Sequence, residues 1–280
     1  MRHTLLASLE ALANPAFAKK AERFFRREYC PDDIFIGIRT PQCRDVLKNH
    51  LAATTIEHVR ALLDDPRHEM RLTGFIALAD VYQRPSKAPL WAESQENDDD
   101  VRRLVCRVLL EHTHRCNNWD IVDSCVHKTL GPALVHFHRD AMSLYMASSE
   151  QRDVKLLPDW YQKLLGSNDL WETRMSIVLL LGVKAYDLAF VFAICEHQLA
   201  RFFEDPMCRC TLRGARFESL DLIHKALGWV LRECGKLDRA QLMAFLDVHA
   251  MKASKTTVRY ATEHMPKTRA KAYVALAMNS

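Results

Sequence analysis

Apolar residues recur at helical spacing along almost the whole chain. Leucine, isoleucine and valine positions repeat every three or four residues in stretches such as 5–12, 101–108 and 220–231, which places them on one face of an α-helix. The best strand-like run, 34–38, is short and lies between two prolines. The pattern therefore predicts an all-α protein in which residues 34–38 form an extended connector.

The predicted helices follow one another in pairs. Breaks fall near Pro15, 31–41, 64–66, 85–89, Gly131–Pro132, 166–168, Gly235 and Pro266. They give helical hairpins of roughly 35 to 45 residues, the period of HEAT-type repeats, which stack into an α–α superhelix with a concave inner surface. No linker stands out, so we predict one domain, residues 1–280, with a HEAT-like solenoid fold. The segment 205–214 interrupts the regular succession of helical hairpins, and we interpret it as a basic loop or an insertion between two hairpins.

The composition is that of a soluble protein with reduced cysteines. Hydrophobic residues make up 49% and charged residues 26% of the chain, so it can bury a large core and is not disordered. Nine cysteines are scattered without a CxxC pair, which is typical of a cytosolic protein. We find no signal peptide at the N-terminus, and the apolar run 175–183 is too short to cross a bilayer. We expect a cytoplasmic protein without membrane contacts.

The charge distribution favours a polyanionic ligand more than the net charge does. The formal charge is only +4, but the acidic run 96–100 collects part of the negative charge in one place. A concave basic wall would suit a long anionic cylinder such as duplex DNA. Lys252, Lys255 and Arg259 have the i, i+3, i+7 spacing of one helical face, which indicates either phosphate binding or an ordinary solvated surface.

Aromatic and charged residues are paired at helical spacing in three places. The pairs are Trp119 with Asp123, Trp171 with Arg174, and Trp229 with Arg232. Residues three or four apart share a helix face, so the aromatic plates of Trp119 and Trp229, one carboxylate and two guanidiniums can line one groove. Such a groove suits a cationic centre held against a phosphate backbone.

Each of these residues also has a purely structural interpretation. The tryptophans fit a hydrophobic core, and the arginines fit structural salt bridges. Asp123 fits the exposed surface of a helix that has Asn118 as its N-cap and Asp120 in its first turn. His112, His114 and Cys116 lack a second pair of metal ligands, and Cys208-x-Cys210 is a poor zinc half-site. Neither a glycine-rich phosphate loop nor a GxSxG elbow occurs. We therefore expect no metal and no organic cofactor.

Six stretches, in this order and spacing, resemble the AlkD-type family of DNA alkylation repair glycosylases. They are 34–41, 68–72, 118–123, 170–174, 222–232 and 258–261. The Trp-Asp-x-Val-Asp and Gly-Trp-x-x-Arg pieces together are the most specific. Two departures are Met251–Thr256, where many relatives have Met-Pro-Arg-Thr, and the long segment 205–214.

The resemblance implies an all-helical HEAT-like fold and the excision of cationic N-alkylated purines, chiefly 3-methyladenine and 7-methylguanine, in base excision repair. It also implies that the lesion stays largely stacked instead of being flipped. By the same resemblance, Asp123 is the catalytic carboxylate, Trp119 and Trp229 are aromatic walls, Arg174 and Arg232 lie beside the lesion's backbone, and Arg39 lies near the DNA.

This chemistry needs few groups. An alkylated purine is already cationic and leaves as a neutral base, so one ionised aspartate that stabilises positive charge on the sugar can suffice. We therefore predict a monomeric glycosylase that acts on double-stranded DNA with alkylated bases, in the cytoplasm at the nucleoid. Two alternatives stay open: a non-catalytic HEAT-repeat protein that binds distorted or branched DNA, and a protein-binding helical scaffold.

Overall fold

The all-α prediction is confirmed by a computed structural model that describes residues 4–91, 97–148, 152–204, 211–212, 215–216 and 220–278. The helices are α1 Thr4–Glu10, α2 Pro15–Phe24, α3 Thr40–His50, α4 Ile56–Leu63, α5 His68–Gln83, α6 Asp98–Glu111, α7 Trp119–Cys125, α8 Leu130–Phe137, α9 Arg139–Ala147, α10 Asp159–Gly166, α11 Leu170–Val178, α12 Leu188–Glu204, α13 Asp221–Leu237, α14 Arg239–His249, α15 Lys255–Ala261 and α16 Lys267–Leu276.

Short 3₁₀ segments and one small hairpin complete the secondary structure. The 3₁₀ segments are Leu51–Ala53, Pro85–Lys87, Pro89–Trp91, Thr113–Arg115, Val126–Lys128, Val154–Leu156, Leu179–Gly182 and Ala250–Lys252. Strands β1 (Thr211–Leu212) and β2 (Ala215–Arg216) pair antiparallel, a feature that the sequence did not predict. The remainder of the predicted basic loop, residues 205–210 and 213–214, lies outside the described residues.

The chain divides into two compact units, residues 1–129 and 130–280. The single domain, the solenoid and its concave basic face stay predictions from the sequence. Among the residues that the structure describes, none of the helices has the length and apolar character needed to cross a membrane.

Helix α5 is the centre of the first unit. It is buried on nearly all sides and packs against α3, α4, α6 and α7, as expected of a helix with apolar residues on every face. His68, Glu69 and Arg71 lie in its first turn and are nonetheless buried. Three ionisable groups in an interior need partners, and those partners define the candidate site below.

The connector before α3 is extended, as the sequence predicted. Ile34 forms an isolated parallel bridge with Arg67, and His68 donates its backbone N–H to the carbonyl of Ile34 at 2.8 Å. Gly37 has a φ of 84°, a left-handed conformation that glycine adopts without strain.

Helix α13 is the centre of the second unit and packs against α11, α12, α14 and α15. The break predicted near Gly235 falls at Asp238, because α13 continues to Leu237. A Cβ on Gly235 would lie 2.3 Å from Cδ2 of Leu242, so this glycine lets α14 pack closely against α13 instead of ending the helix.

Gly228 serves the same purpose between α13 and α15. A Cβ there would lie 2.4 Å from Cβ of Tyr260 and 2.6 Å from the carbonyl oxygen of Thr257. The second contact is with backbone, so α15 itself would have to move. The glycine of the Gly-Trp-x-x-Arg motif therefore permits close helix packing.

We expect Gly228→Ala to destabilise the protein. Overpacking costs about 1–3 kcal/mol, more than the helix propensity that alanine adds at about 1 kcal/mol. Denaturant unfolding of the variant and the parent measures the difference. Gly166→Ala is the matched control, since a Cβ at Gly166 meets nothing within 4 Å. Equal stability of the two alanine variants would contradict the packing argument.

Candidate functional site

Helix α7 carries Trp119 and Asp123 on one face. Asn118 is its N-cap, as predicted, and its Oδ1 accepts the backbone N–H of Trp119 at 2.8 Å. Asp120 lies in the first turn, where a carboxylate interacts favourably with the helix dipole. Trp119 and Asp123 are both half-buried, so each keeps part of its side chain accessible.

His68 of α5 lies between two carboxylates, those of Asp33 and of Asp120 in the first turn of α7. Nδ1 of His68 lies 2.9 Å from Oδ2 of Asp33, and Nε2 lies 2.9 Å from Oδ2 of Asp120. The side chains of His68 and Asp33 are only 2% and 1% exposed. A doubly protonated imidazole donates from both nitrogens, which matches this geometry.

Asp33 is the centre of the buried cluster. Its carboxylate accepts a hydrogen bond from Nη2 of Arg71 and another from Nδ2 of Asn118 at 2.8 Å. Nη1 of Arg71 donates to the carbonyls of Asp65 at 3.1 Å and Pro66 at 2.7 Å. Buried charges are tolerated only when they are paired and hydrogen-bonded in this way.

The cluster shifts both partners toward their charged forms. Burial alone would lower the pKa of His68, but the charges and hydrogen bonds of Asp120 and Asp33 raise it to about 9. Burial would raise the pKa of Asp33, but His68 and Arg71 hold it below its usual range. His68 is therefore a cation and Asp33 an anion at neutral pH.

Trp119 is fixed by aromatic neighbours. Its Nε1 donates to the hydroxyl of Tyr29 at 3.1 Å. Its ring lies 5.1 Å from that of Phe25 and meets the ring of Phe24 edge-on at 5.7 Å. These distances are in the range of favourable aromatic pairs, so the indole is held in one orientation.

Glu69 anchors the connector that forms the neighbouring wall. Its carboxylate accepts the backbone N–H groups of Ile36 at 3.0 Å, Gly37 at 2.7 Å and Ile38 at 3.3 Å. A Cβ at Gly37 would lie 2.1 Å from the carbonyl oxygen of Asn14. Both the left-handed conformation and this close approach require glycine.

A cavity of about 600 Å³ lies beside Trp119. Its lining comes from α2, the connector, α3, α5 and α7, and comprises Phe17, Lys20, Ala21, Phe24, Phe25, Phe35, Ile38, Arg39, Thr40, Pro41, His68, Glu69, Leu72, Trp119 and Asp120. Arg39 is exposed at the N-cap of α3, with its guanidinium 4.9 Å from the ring centroid of Phe17. Its predicted DNA contact stays a prediction.

The second unit carries Trp229 and Arg232 on α13. Both are half-buried. Arg232 donates from Nε to Glu233 at 3.2 Å and from Nη1 to Glu263. Burial alone would lower the pKa of Arg232, but the two glutamates raise it. A phosphate would have to compete with these carboxylates for the guanidinium.

Trp171 and Arg174 lie inside the second unit. They are 3% and 5% exposed, and Nη1 of Arg174 donates to the carbonyl of Leu222. This hydrogen bond is a structural role of the kind that the sequence left open for Arg174. Its assignment to the DNA backbone stays a prediction.

The single helical face predicted for Lys252, Lys255 and Arg259 is wrong. Lys252 ends the 3₁₀ segment before α15, and Ser254 then caps α15 by accepting the backbone N–H of Thr257. Lys255 and Arg259 lie on α15 itself, and only this pair shares a face. The chain leaves helical geometry at the N-cap, which breaks the register that the spacing assumed.

The family model described as DNA alkylation repair enzyme matches residues 5–265. The chain belongs to the DNA alkylation repair enzyme family. The resemblance seen in the sequence is thereby confirmed, and membership supports an enzymatic role in DNA repair and the binding of DNA. A comparison with curated proteins found no match.

The sequence pattern does not reveal the residues that position α7. The stretch 68–72 carries part of the family resemblance, but its pattern indicates no role for His68, Glu69 or Arg71. The sequence signal for these residues is the presence of three ionisable side chains in the first turn of a helix whose other residues are nearly all apolar. Asp33 could not be found from local pattern, because its partners lie at 68, 71 and 118.

We expect a pH dependence of stability that comes from His68. Its folded-state pKa of about 9 exceeds the ordinary value of 6.5, so its stabilisation is fully present below about pH 6.5 and is lost as the pH rises through about 9. His68→Gln removes this titration. Its free energy of unfolding should fall below the parent's by about 3 kcal/mol at pH 6.5, and this gap should narrow toward pH 10.

Urea unfolding at several pH values measures the gap. His114→Gln, which alters an exposed histidine, is the control and should follow the parent throughout. A gap between His68→Gln and the parent that stays constant from pH 6.5 to 10 would show that His68 is not a buried cation.

Proposed function

We propose that the protein is a DNA glycosylase that excises cationic N-alkylated purines, chiefly 3-methyladenine and 7-methylguanine, from double-stranded DNA. The observation that carries the proposal is α7 in this family member. It holds Trp119 and Asp123 on one accessible face, and the buried cluster around Asp33 fixes its first turn. A rigid support under the reacting groups is what a catalytic site requires.

Asp123 supplies the charge that the reaction needs. As the N-glycosidic bond breaks, its electron pair goes to the purine and neutralises it, and positive charge develops on the deoxyribose. The carboxylate of Asp123 stabilises that charge and orients a water, whose oxygen bonds to C1′ and whose proton is released. No acid has to protonate the leaving base, because the alkylated purine is already cationic.

The remaining predicted residues act on the cation and the backbone. The indole faces of Trp119 and Trp229 stabilise positive charge by cation–π interactions worth about 0.5–2 kcal/mol each. Arg39, Arg174, Arg232, Lys252, Lys255 and Arg259 bind backbone phosphates or hold the groups that do. The lesion stays largely stacked, and the protein acts as a cofactor-free monomer.

Release of free methylpurines from methylated duplex DNA tests the proposal. We expect the parent to release them and Asp123→Asn to lower the rate by on the order of 100-fold or more. Asp45→Asn, an exposed aspartate on α3, is the matched control and should retain the parental rate. If the parent releases no base yet binds DNA in a salt-sensitive manner, the protein is the non-catalytic DNA binder instead.

The salt dependence of DNA binding tests the basic residues. Each phosphate contact contributes about 0.9 to the slope of log K against log salt. We expect Arg259→Gln to lower the steepness of that slope by about 1. Lys163→Gln changes an exposed lysine on α10 and should leave the slope unchanged. Equal slopes for the two variants would assign Arg259 to an ordinary solvated surface.

A further inference from the structure

The segment 29–33 contacts α7 at two points. Asp33 accepts a hydrogen bond at 2.8 Å from Nδ2 of Asn118, which is the N-cap of α7. Earlier in the same segment, the hydroxyl of Tyr29 accepts the indole N–H of Trp119 at 3.1 Å. Trp119 is the first residue of α7. One short segment therefore contacts both the N-cap and the first side chain of the helix that carries Asp123.

The backbone of this segment is held by local hydrogen bonds. The N–H of Tyr29 donates to the carbonyl of Arg26 at 3.3 Å, and the N–H of Asp33 donates to that of Cys30 at the same distance. Pro31 lies within the second of these turns, and its ring fixes φ. The side chain of Tyr29 has little room to move, since the residue is only 6% exposed. Its hydroxyl is therefore a fixed acceptor.

The hydrogen bond from Trp119 to Tyr29 restricts the rotation of the indole. The torsion about the Cβ–Cγ bond of a tryptophan has broad, roughly two-fold minima. Phe24 meets the indole edge-on and Phe25 meets it at a tilt of 33°, and such contacts act on the ring as a whole. The hydrogen bond acts on a single atom, Nε1. It therefore selects the orientation in which the N–H edge points to Tyr29.

The orientation of the indole decides whether Trp119 can stabilise a cation. Cation–π attraction acts over the face of an aromatic ring, within about 6 Å of its centroid. The edge of the ring carries partial positive charge and repels a cation. Trp119 is half-buried, so only part of the indole can meet a ligand. A rotated indole would bring a different part of the ring to that accessible side.

We propose that Tyr29 is a positioning residue for base excision, because its hydroxyl holds the indole of Trp119 with one face toward the accessible side of α7. The inference rests on the proposed glycosylase function, in which that face stabilises positive charge on the deoxyribose. Tyr29 acts through Trp119 and touches neither the base nor the sugar. Its loss should therefore slow base release without weakening DNA binding.

The kinetics of 7-methylguanine release from methylated duplex DNA test this role. Tyr29→Phe removes the hydroxyl and keeps the buried ring, so the variant should fold. We expect kcat to fall about fivefold, because the indole loses the hydrogen bond that orients it. KM should stay within about twofold of the parental value, since the lost interaction acts only in the transition state. A parental kcat in Tyr29→Phe would overturn the proposal.

Tyr161→Phe is the matched control for the loss of a buried tyrosine hydroxyl. Tyr161 lies in the second unit and is fully buried, and its hydroxyl donates to the carbonyl of Ser176 at 3.1 Å. The control therefore loses a hydrogen bond of the same length as that between Tyr29 and Trp119. It should keep the parental kcat. An equal fall of kcat in both variants would assign Tyr29 to general stability and overturn its positioning role.

A double-mutant cycle tests whether Tyr29 acts through the indole. Trp119→Phe removes the N–H donor, so the hydroxyl of Tyr29 has no indole to orient in that background. We expect Tyr29→Phe to lower kcat no further when it is added to Trp119→Phe. If the effects of the two substitutions multiply, Tyr29 does not act through Trp119 and the proposal fails.

Fluorine NMR of protein labelled with 5-fluorotryptophan reports the orientation of the indole without any turnover. The chain has five tryptophans, and Trp119→Phe identifies the resonance of Trp119 by its absence. We expect Tyr29→Phe to shift or broaden this resonance, because the indole gains a second orientation. Tyr161→Phe should leave it in place. An unchanged Trp119 resonance in Tyr29→Phe would overturn the proposal.

Failure of the glycosylase proposal looks different. In that case the parent itself releases no methylpurine, and the role of Tyr29 in base excision falls with the activity. The fluorine spectrum still decides then whether Tyr29 orients Trp119. An active parent whose Tyr29→Phe variant has the same kcat and the same spectrum overturns the positioning role alone.

Discussion

The candidate site depends on one buried interaction, a histidine cation held between two carboxylates. Helix α7 has seven residues and is too short to be stable by itself, so its orientation comes from its tertiary contacts. His68 links Asp33 to Asp120, which lies in the first turn of α7. Asn118, the N-cap of α7, also donates a hydrogen bond to Asp33. These charges are tolerated in the interior because each hydrogen bond described for the cluster joins a charged group to an opposite charge or to a polar group.

Features with a local cause could be predicted from the sequence. The all-α class follows from hydrophobic spacing that repeats along the whole chain, and the N-cap at Asn118 follows from a side chain that bonds its own neighbour's N–H. The extended connector at 34–38 was also predictable, because flanking prolines disfavour helix on both sides. None of these features requires knowledge of which segments meet in the fold.

Features that depend on long-range packing could not be predicted in the same way. The break predicted near Gly235 comes at Asp238, and Gly235 itself lies inside α13, where Leu242 of α14 packs closely against it. Lys252 had the spacing of a helical face, yet the chain leaves the helix between Lys252 and Lys255. The aromatic cavity joins residues from five separate segments, so no single stretch of sequence carries its signal.

Asp33 has a consequence for how this chain can vary. Its carboxylate is bonded at once to His68, Arg71 and Asn118, so replacing it alone would strand a histidine and a guanidinium in the interior. A substitution of Asp33 is therefore disfavoured unless the residues that bond to it are also replaced. Across relatives, positions 33, 68, 71 and 118 should therefore be kept together or replaced together, although 85 residues separate the first from the last.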